Sequence, residues 1–393
     1  MDPETPTSES LGTSKEIAPR LFRFADWAPI QDNESPESKE FYQGDGVSQR
    51  MGAVRHLIAY IRVNWNNYAS LMDGLRAFIG EGQVEPPSEE DRRNLDGVLF
   101  SLKQWTNRQQ GVPSAQINDY NVTRLYTSDF GFRHIFRRVD SVLRKGVGLE
   151  QERDLQSAVF LIELFNIDLF NYVSVTPDAN NFQGVVYRGV CVSNEQLQEF
   201  IDLAAKPIPE RCWAIPLTIT SASINRERAI AFAKAEVRQQ PDRHLFLWRI
   251  HVVELEPELL RVYREQFPTS VVSSICAVPI GDLSPFPAEV EVVLRGPFFQ
   301  LIRMAEEDVE EAGNVYVMDS LMLNTNRDHP STMELGDNTG EKARQLFGCL
   351  VSMGRAKACQ GLAKEFDLLG DVEQYRDIYE EEEARLRTIT ASG

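Results

Sequence analysis

The chain is poor in the residues that build metal centres and disulfide frameworks. Its 393 residues include five cysteines and five histidines. Cys191, Cys212, Cys276, Cys349 and Cys359 lie far apart, and no Cys-x-x-Cys pair occurs. Zinc sites and disulfide-stapled domains need closer spacing, so neither is expected, nor any bound metal. Long apolar runs are missing too, since none approaches the roughly 20 residues that a bilayer core requires. The opening MDPETPTSESLGTSKE has no basic segment followed by an apolar one, so no secretory signal is visible. A reducing, cytoplasmic setting is the resulting expectation, with secretion by a route that needs no such signal left open. Positive charge is in short supply. A formal net charge of -18 repels phosphate backbones and anionic lipid, which argues against nucleic acid or membrane as the main partner. Walker loops, a GxGxxG opening a strand–helix unit and a GxSxG elbow are all absent.

What is present divides the chain into stretches of different character. Residues 1–48 are rich in Ser, Pro, Glu and Asp around one aromatic island, Leu21 to Phe24 with Trp27, and read as a largely disordered acidic tail. Over 49–112 the spacing of Val54, Leu57, Ile58, Ile61, Trp65, Tyr68, Met72, Leu75 and Ile79 predicts a helix stopped at Gly80. A second helix is expected from Ser88 through Trp105. Residues 113–305 begin with helices over Phe130 to Lys145 and Leu149 to Tyr172. They then turn to short β-rich runs: GVVYRGV, AIPLTITSA, HLFLWRIHVV, VSSICAVPI and EVEVVLRGPFFQLI. One helix, Asn225 to Gln239, interrupts them. Residues 306–340 read as an acidic linker, and 341–393 as helices joined at Gly354 and Gly370. Those last helices resemble a short tetratricopeptide-like segment, although a self-supporting array needs about three repeats. A helical cap on the main domain is the favoured reading.

Three strand-borne features carry chemistry. Arg188, between Tyr187 and Gly189, sits in an apolar strand, where a guanidinium is costly unless an anion meets it. Its fork suits phosphate or carboxylate oxygens, an internal ion pair being the alternative, and Gly189 lets a ligand approach the backbone. Thr220-Ser221-Ala222-Ser223 closes another strand with small hydroxyls, of which Ser223 reads as a helix cap. In FPAEVEVVLRGPFF, Phe286 to Phe299, alternation would place Glu289 and Glu291 on one face about 7 Å apart. Ala288, Val290, Val292 and Leu294 would then face the core, and Arg295 the water. His244, His251 and Phe232 read as structural residues.

In this order the aromatic-Arg-Gly strand, the Ser-x-Ser strand end and Phe-x-x-Glu-x-Glu resemble the arginine-serine-glutamate class of mono-ADP-ribosyltransferases, with the arginine-specific branch the nearest look. The likeness runs from about Arg124 to Met304 and begins with LYTSDFGFRHIFRRVDSVLR. Ala222 departs from the Ser-Thr-Ser pattern. The resemblance implies an α+β fold: a split antiparallel β-sandwich that binds NAD in its cleft, with helical N-terminal and C-terminal regions. NAD is then the substrate and a protein bearing an exposed arginine the acceptor, with docking through the terminal helical regions. Tyr187, Arg188, Gly189, Ser221 and Ser223 would bind NAD. Ser221 would orient Glu291, the essential acid, and Glu289 would face the acceptor. Two such acids should titrate as a coupled pair, one of them raised. The rival readings are an NAD glycohydrolase and a degenerate NAD-binding interaction module.

Overall fold

The structure, a computed structural model, describes residues 68–81, 89, 120–128, 130–136, 138–139, 142, 152–179, 181–214, 219–239, 242–268, 272–295, 298–309, 312–327 and 337–391. The acidic tail and nearly all of the second helix expected after Ser88 lie outside those residues.

The helical lead-in is a core in its own right. Helix α1 (Tyr68–Glu81) buries Leu75, Phe78 and Ile79 against α3 (Glu152–Val175), and α2 (Asn121–Thr127) packs on the same helix. Buried Asp168 of α3 accepts from the backbone N–H groups of Val122 and Thr123, at 2.8 and 3.1 Å, and so satisfies two donors that the start of a helix leaves open. After α2 the chain makes a π-helical turn, Gly131–Phe136. The wider turn breaks the expected stripe: Ile135, Phe136 and Val139 are buried, whereas Phe132 faces outward.

Eight strands pair in the order β2-β8-β9-β4-β1-β3-β7-β6. They are β1 (Gly184–Val192), β2 (Cys212–Ala214), β3 (Ile219–Ser223), β4 (His244–Val253), β6 (Ala277–Pro279), β7 (Glu291–Arg295), β8 (Phe298–Val309) and β9 (Gly313–Leu323); β5 (Val272–Ser273) and β10 (Asn326–Arg327) form a separate short ladder. The α+β class stands, with two differences from the expected split sandwich. Hydrogen bonds run unbroken across all eight strands, and the β4–β9 junction is parallel.

The sequence runs that read as single strands explain the shape. AIPLTITSA divides between β2 and β3, and EVEVVLRGPFFQLI between β7 and β8. In each case one half pairs near one end of the sheet and the other half near the opposite end. The ends share a core: Val292 and Leu294 of β7 belong to the same buried cluster as Phe299 and Leu301 of β8 and Trp248 of β4. Asn324, just past β9, closes the curl. Its amide accepts from Ala277 N–H at 2.7 Å and donates to Ala277 C=O at 3.2 Å, pairing with edge strand β6 as another backbone would.

The remaining helices cover the sheet: α4 (Asn194–Ala205), α5 (Arg226–Gln239), α6 (Pro257–Gln266), α7 (Asp337–Glu365) and α8 (Leu369–Ala391). The stretch read as an acidic linker, 306–340, holds the end of β8 and all of β9, which lies inside the sheet. Its acids crowd the end of β8, where Glu307 is held by Arg226 and Arg249 from elsewhere in the chain, so the charge density hid a strand. The expected joint at Gly354 is also absent. Helix α7 runs straight through, and Gly354 is small because a Cβ would collide with the Leu255 side chain, next to α6. The break falls instead between α7 and α8, with Asp367 in the left-handed region at φ 56°.

Candidate functional site

Tyr187, Ser223 and Glu291 are direct register partners across β1, β3 and β7. Residues two apart on a strand share a face, which brings Ser221 into diagonal reach of Glu291. Ser221 Oγ donates to Glu291 Oε1 at 2.6 Å. The intervening Ala222 turns its methyl into the core beneath, so the hydroxyl missing from the Ser-Thr-Ser pattern would have faced away from the cleft.

Arg188 lies opposite Trp248 in register and sits 5.8 Å above that ring. Its Nη1 donates to the Ser221 carbonyl at 2.8 Å. No acid among the described residues pairs with it, and its buried Nε has no partner. The internal ion pair weighed from sequence is therefore absent among those residues. Gly189 has a second reason to be glycine: a Cβ there would strike the Ala229 carbonyl of α5, so its absence lets the helix pack down on β1.

Glu289 and Glu291 do meet in one place, though not by strand alternation. Glu289 ends a short 3-10 turn, Pro287–Glu289; Val290 follows in the left-handed region at φ 45°, and β7 begins only at Glu291. Val290 is exposed instead of buried. Arg295, expected to face water, is fully buried, because β7 lies between β3 and β6 with apolar clusters on both faces. Ser223, read as a helix cap, latches the turn: its Oγ donates to the Glu289 carbonyl at 2.5 Å and accepts from Asn225 N–H at 2.9 Å. Asn225 caps α5 itself, its Oδ1 accepting from Arg228 N–H at 3.1 Å.

These groups open on a cleft of about 430 Å³ lined by all seven residues singled out in the sequence: Tyr187, Arg188, Gly189, Ser221, Ser223, Glu289 and Glu291. Burial pushes the Glu291 carboxyl up to about 7; the Ser221 bond works against that shift, and Glu289 adds to it least. Desolvation thus does what charge coupling was expected to do. Glu289 is also raised by burial and drawn back by Arg228. The sequence reading did not single out Tyr126, Thr127 and Ser128, which line the walls together with Phe132, Phe232 and Phe286, the aromatic that opens Phe-x-x-Glu-x-Glu. The first three lie in the lead-in that carried the resemblance, so the signal lay in the segment and not in any one side chain. Phe232, read as core, is half exposed at the cleft, as are Phe132 and Phe286.

No protein-family model matches the chain, and no curated protein matches it. Among solved structures it is similar to Vis toxin, an ADP-ribosyltransferase from Vibrio splendidus, at 14% identity and a TM-score of 0.34, covering 61% of this chain and 88% of that one. It is similar to the ADP-ribosyltransferase HopU1 of Pseudomonas syringae pv. tomato at 13% identity and a TM-score of 0.35, covering 61% and 100%. The type III effector XopAI of Xanthomonas axonopodis pv. citri gives 14% identity and a TM-score of 0.35, over 70% of this chain and 99% of that one.

Proposed function

We propose that the chain is a mono-ADP-ribosyltransferase that moves ADP-ribose from NAD to an arginine of a protein acceptor and releases nicotinamide. The observation that carries this reading is the cleft's pairing of a guanidinium that no acid among the described residues holds with a buried glutamate held by a hydroxyl. A fork without a carboxylate is a place for phosphate oxygens. A desolvated carboxylate, aimed by Ser221, is a place for developing positive charge.

Breaking the bond between the ribose anomeric carbon and the nicotinamide nitrogen leaves the electron pair on nicotinamide and positive charge on the sugar. Glu291 in its carboxylate form stabilises that oxocarbenium-like state. The incoming guanidino nitrogen forms the new bond to the same carbon, and Glu289 takes the proton it sheds. The turn that holds Glu289 at the cleft favours transfer over simple hydrolysis, because water needs no second acid to bind it as a cation.

Labelled NAD with an arginine-bearing protein tests the reading. Glu291→Gln is expected to lose both nicotinamide release and transfer. Glu289→Gln is expected to keep release and lose transfer. Intact transfer in both variants would remove the assignment.

A further inference from the structure

Arg228, on α5, stands just outside the residues that line the cleft. It precedes Phe232 by one helical turn on α5, so the two share a face of the helix, and both are exposed. Among the described residues no side chain bonds or ion-pairs its guanidinium. Arg226, two residues earlier, is by contrast held by Glu307 at 2.8 Å. The backbones of Arg228 and Glu289 are nevertheless tied together. Three hydrogen bonds run from the Glu289 carbonyl to Ser223 Oγ, from there to Asn225 N–H, and from Asn225 Oδ1 to Arg228 N–H. The charge of Arg228 reaches the Glu289 carboxyl and draws it back toward the ionised form.

This placement poses a problem for an acceptor. A bare cation approaching Glu289 also approaches Arg228 and is repelled. An acceptor that carries a carboxylate beside its guanidinium satisfies both groups at once. Resting on the transferase reading above, we propose that Arg228 is a specificity-determining residue that binds a carboxylate next to the acceptor arginine, so that the favoured acceptors are arginines with an acidic neighbour. The guanidinium fork suits that anion in two-point contact. The same charge rejects acceptors whose neighbouring group is neutral or basic.

Arginine and agmatine form a matched pair of probes, since they share the guanidine and differ in the carboxylate. The quantity to read is the ratio of kcat/KM for arginine over agmatine at fixed ionic strength. Taken within each protein, the ratio cancels any loss of turnover common to both acceptors. Arg228→Gln is expected to lower it about three- to five-fold, the scale of a partly exposed ion pair. Arg228→Glu should lower it further, and Arg228→Lys should stay near the parent. Arg238→Gln makes the same charge change about 15 Å along the helix and should leave the ratio alone. A ratio unmoved in Arg228→Gln, or moved equally in Arg238→Gln, overturns the proposal. A parent protein that hydrolyses NAD but modifies neither probe removes the transferase reading, and this inference with it. Modification of both probes with an unmoved ratio removes this inference alone.

Discussion

Asp319 and Glu291 are both buried acids on the same curled sheet, and they are held in opposite ways. Asp319, on β9, is flanked in register by Arg249 of β4 and Arg303 of β8. Arg249 donates to it at 2.5 and 2.9 Å and Arg303 at 2.8 Å, and His251 lies at 3.2 Å. Burial alone would raise the Asp319 carboxyl, but those bonds carry it well below the usual carboxylate range. Glu291 has no cation bonded to it among the described residues, only the Ser221 hydroxyl, and stays raised at about 7. Arg188, nearby, is paired with no acid among the described residues. Opposite charges are brought together where they brace the sheet and kept apart where they line the cleft, so each cleft charge stays available to a ligand.

The largest expected effects come from neutralising each acid. Glu291→Gln should cut nicotinamide release by about 10³, the scale of losing one preorganised group at a charged transition state, while thermal unfolding shows the fold intact. Asp319→Asn should do the reverse. It takes a shared carboxylate from the half-buried Arg249 and Arg303 and should cost about 1.5–3 kcal/mol, readable as a lower urea midpoint. Equal stability losses in both variants would erase the contrast.

A pH series sharpens it. Glu291 binds its proton more tightly in the folded chain than its ordinary value of 4.5. Its favourable contribution is therefore complete below 4.5 and lost as pH rises through about 7. That loss is roughly 3 kcal/mol by linkage. Thermal melts should accordingly show Glu291→Gln more stable than the parent above pH 7, with the gain vanishing toward pH 4.5. For Asp319 the sign is opposite, its contribution being present above its ordinary value of 3.8 and lost in acid.

Ser221→Ala is a smaller perturbation, because it removes a bond that favours the ionised form of Glu291. Nicotinamide release should rise with pH through about 7 in the parent, and the variant's rise should lie at higher pH. A coincident profile would mean that the hydroxyl does not tune the acid. The smallest effect is expected far from both acids. Gly354→Ala forces a methyl against Leu255 and should cost about 1–3 kcal/mol, seen in melts, with nicotinamide release per folded molecule unchanged.

The sequence picked out the cleft's residues better than it placed them. Arg188 in an apolar strand and Ser221 at a strand end were legible because a buried fork and a small hydroxyl are unusual where they stand. Glu289 and Glu291 were paired for the wrong geometric reason. Nothing in FPAEV except Pro287 signals a turn, and the bond that holds the turn just before left-handed Val290 comes from Ser223, which lies on another strand. Arg295 was misplaced because one strand's alternation says nothing about whether layers cover both of its faces. The acids of β8 and β9 looked like linker because their partners, such as Arg226 and Arg249 for Glu307, are distant in the chain. Gly354 was mistaken for a joint because a glycine needed for close packing and one needed for a bend look the same in one dimension.

Asn324 gives the cleft a property that its own lining does not. Its amide fastens Ala277 on β6, and from that same segment Ile280 N–H donates to the Glu291 carbonyl at 2.9 Å. A single side chain beyond the far strand thus acts as a rivet for the wall that carries the acid. A ligand would then meet a wall already held in place, and little of its binding energy would be diverted into ordering it.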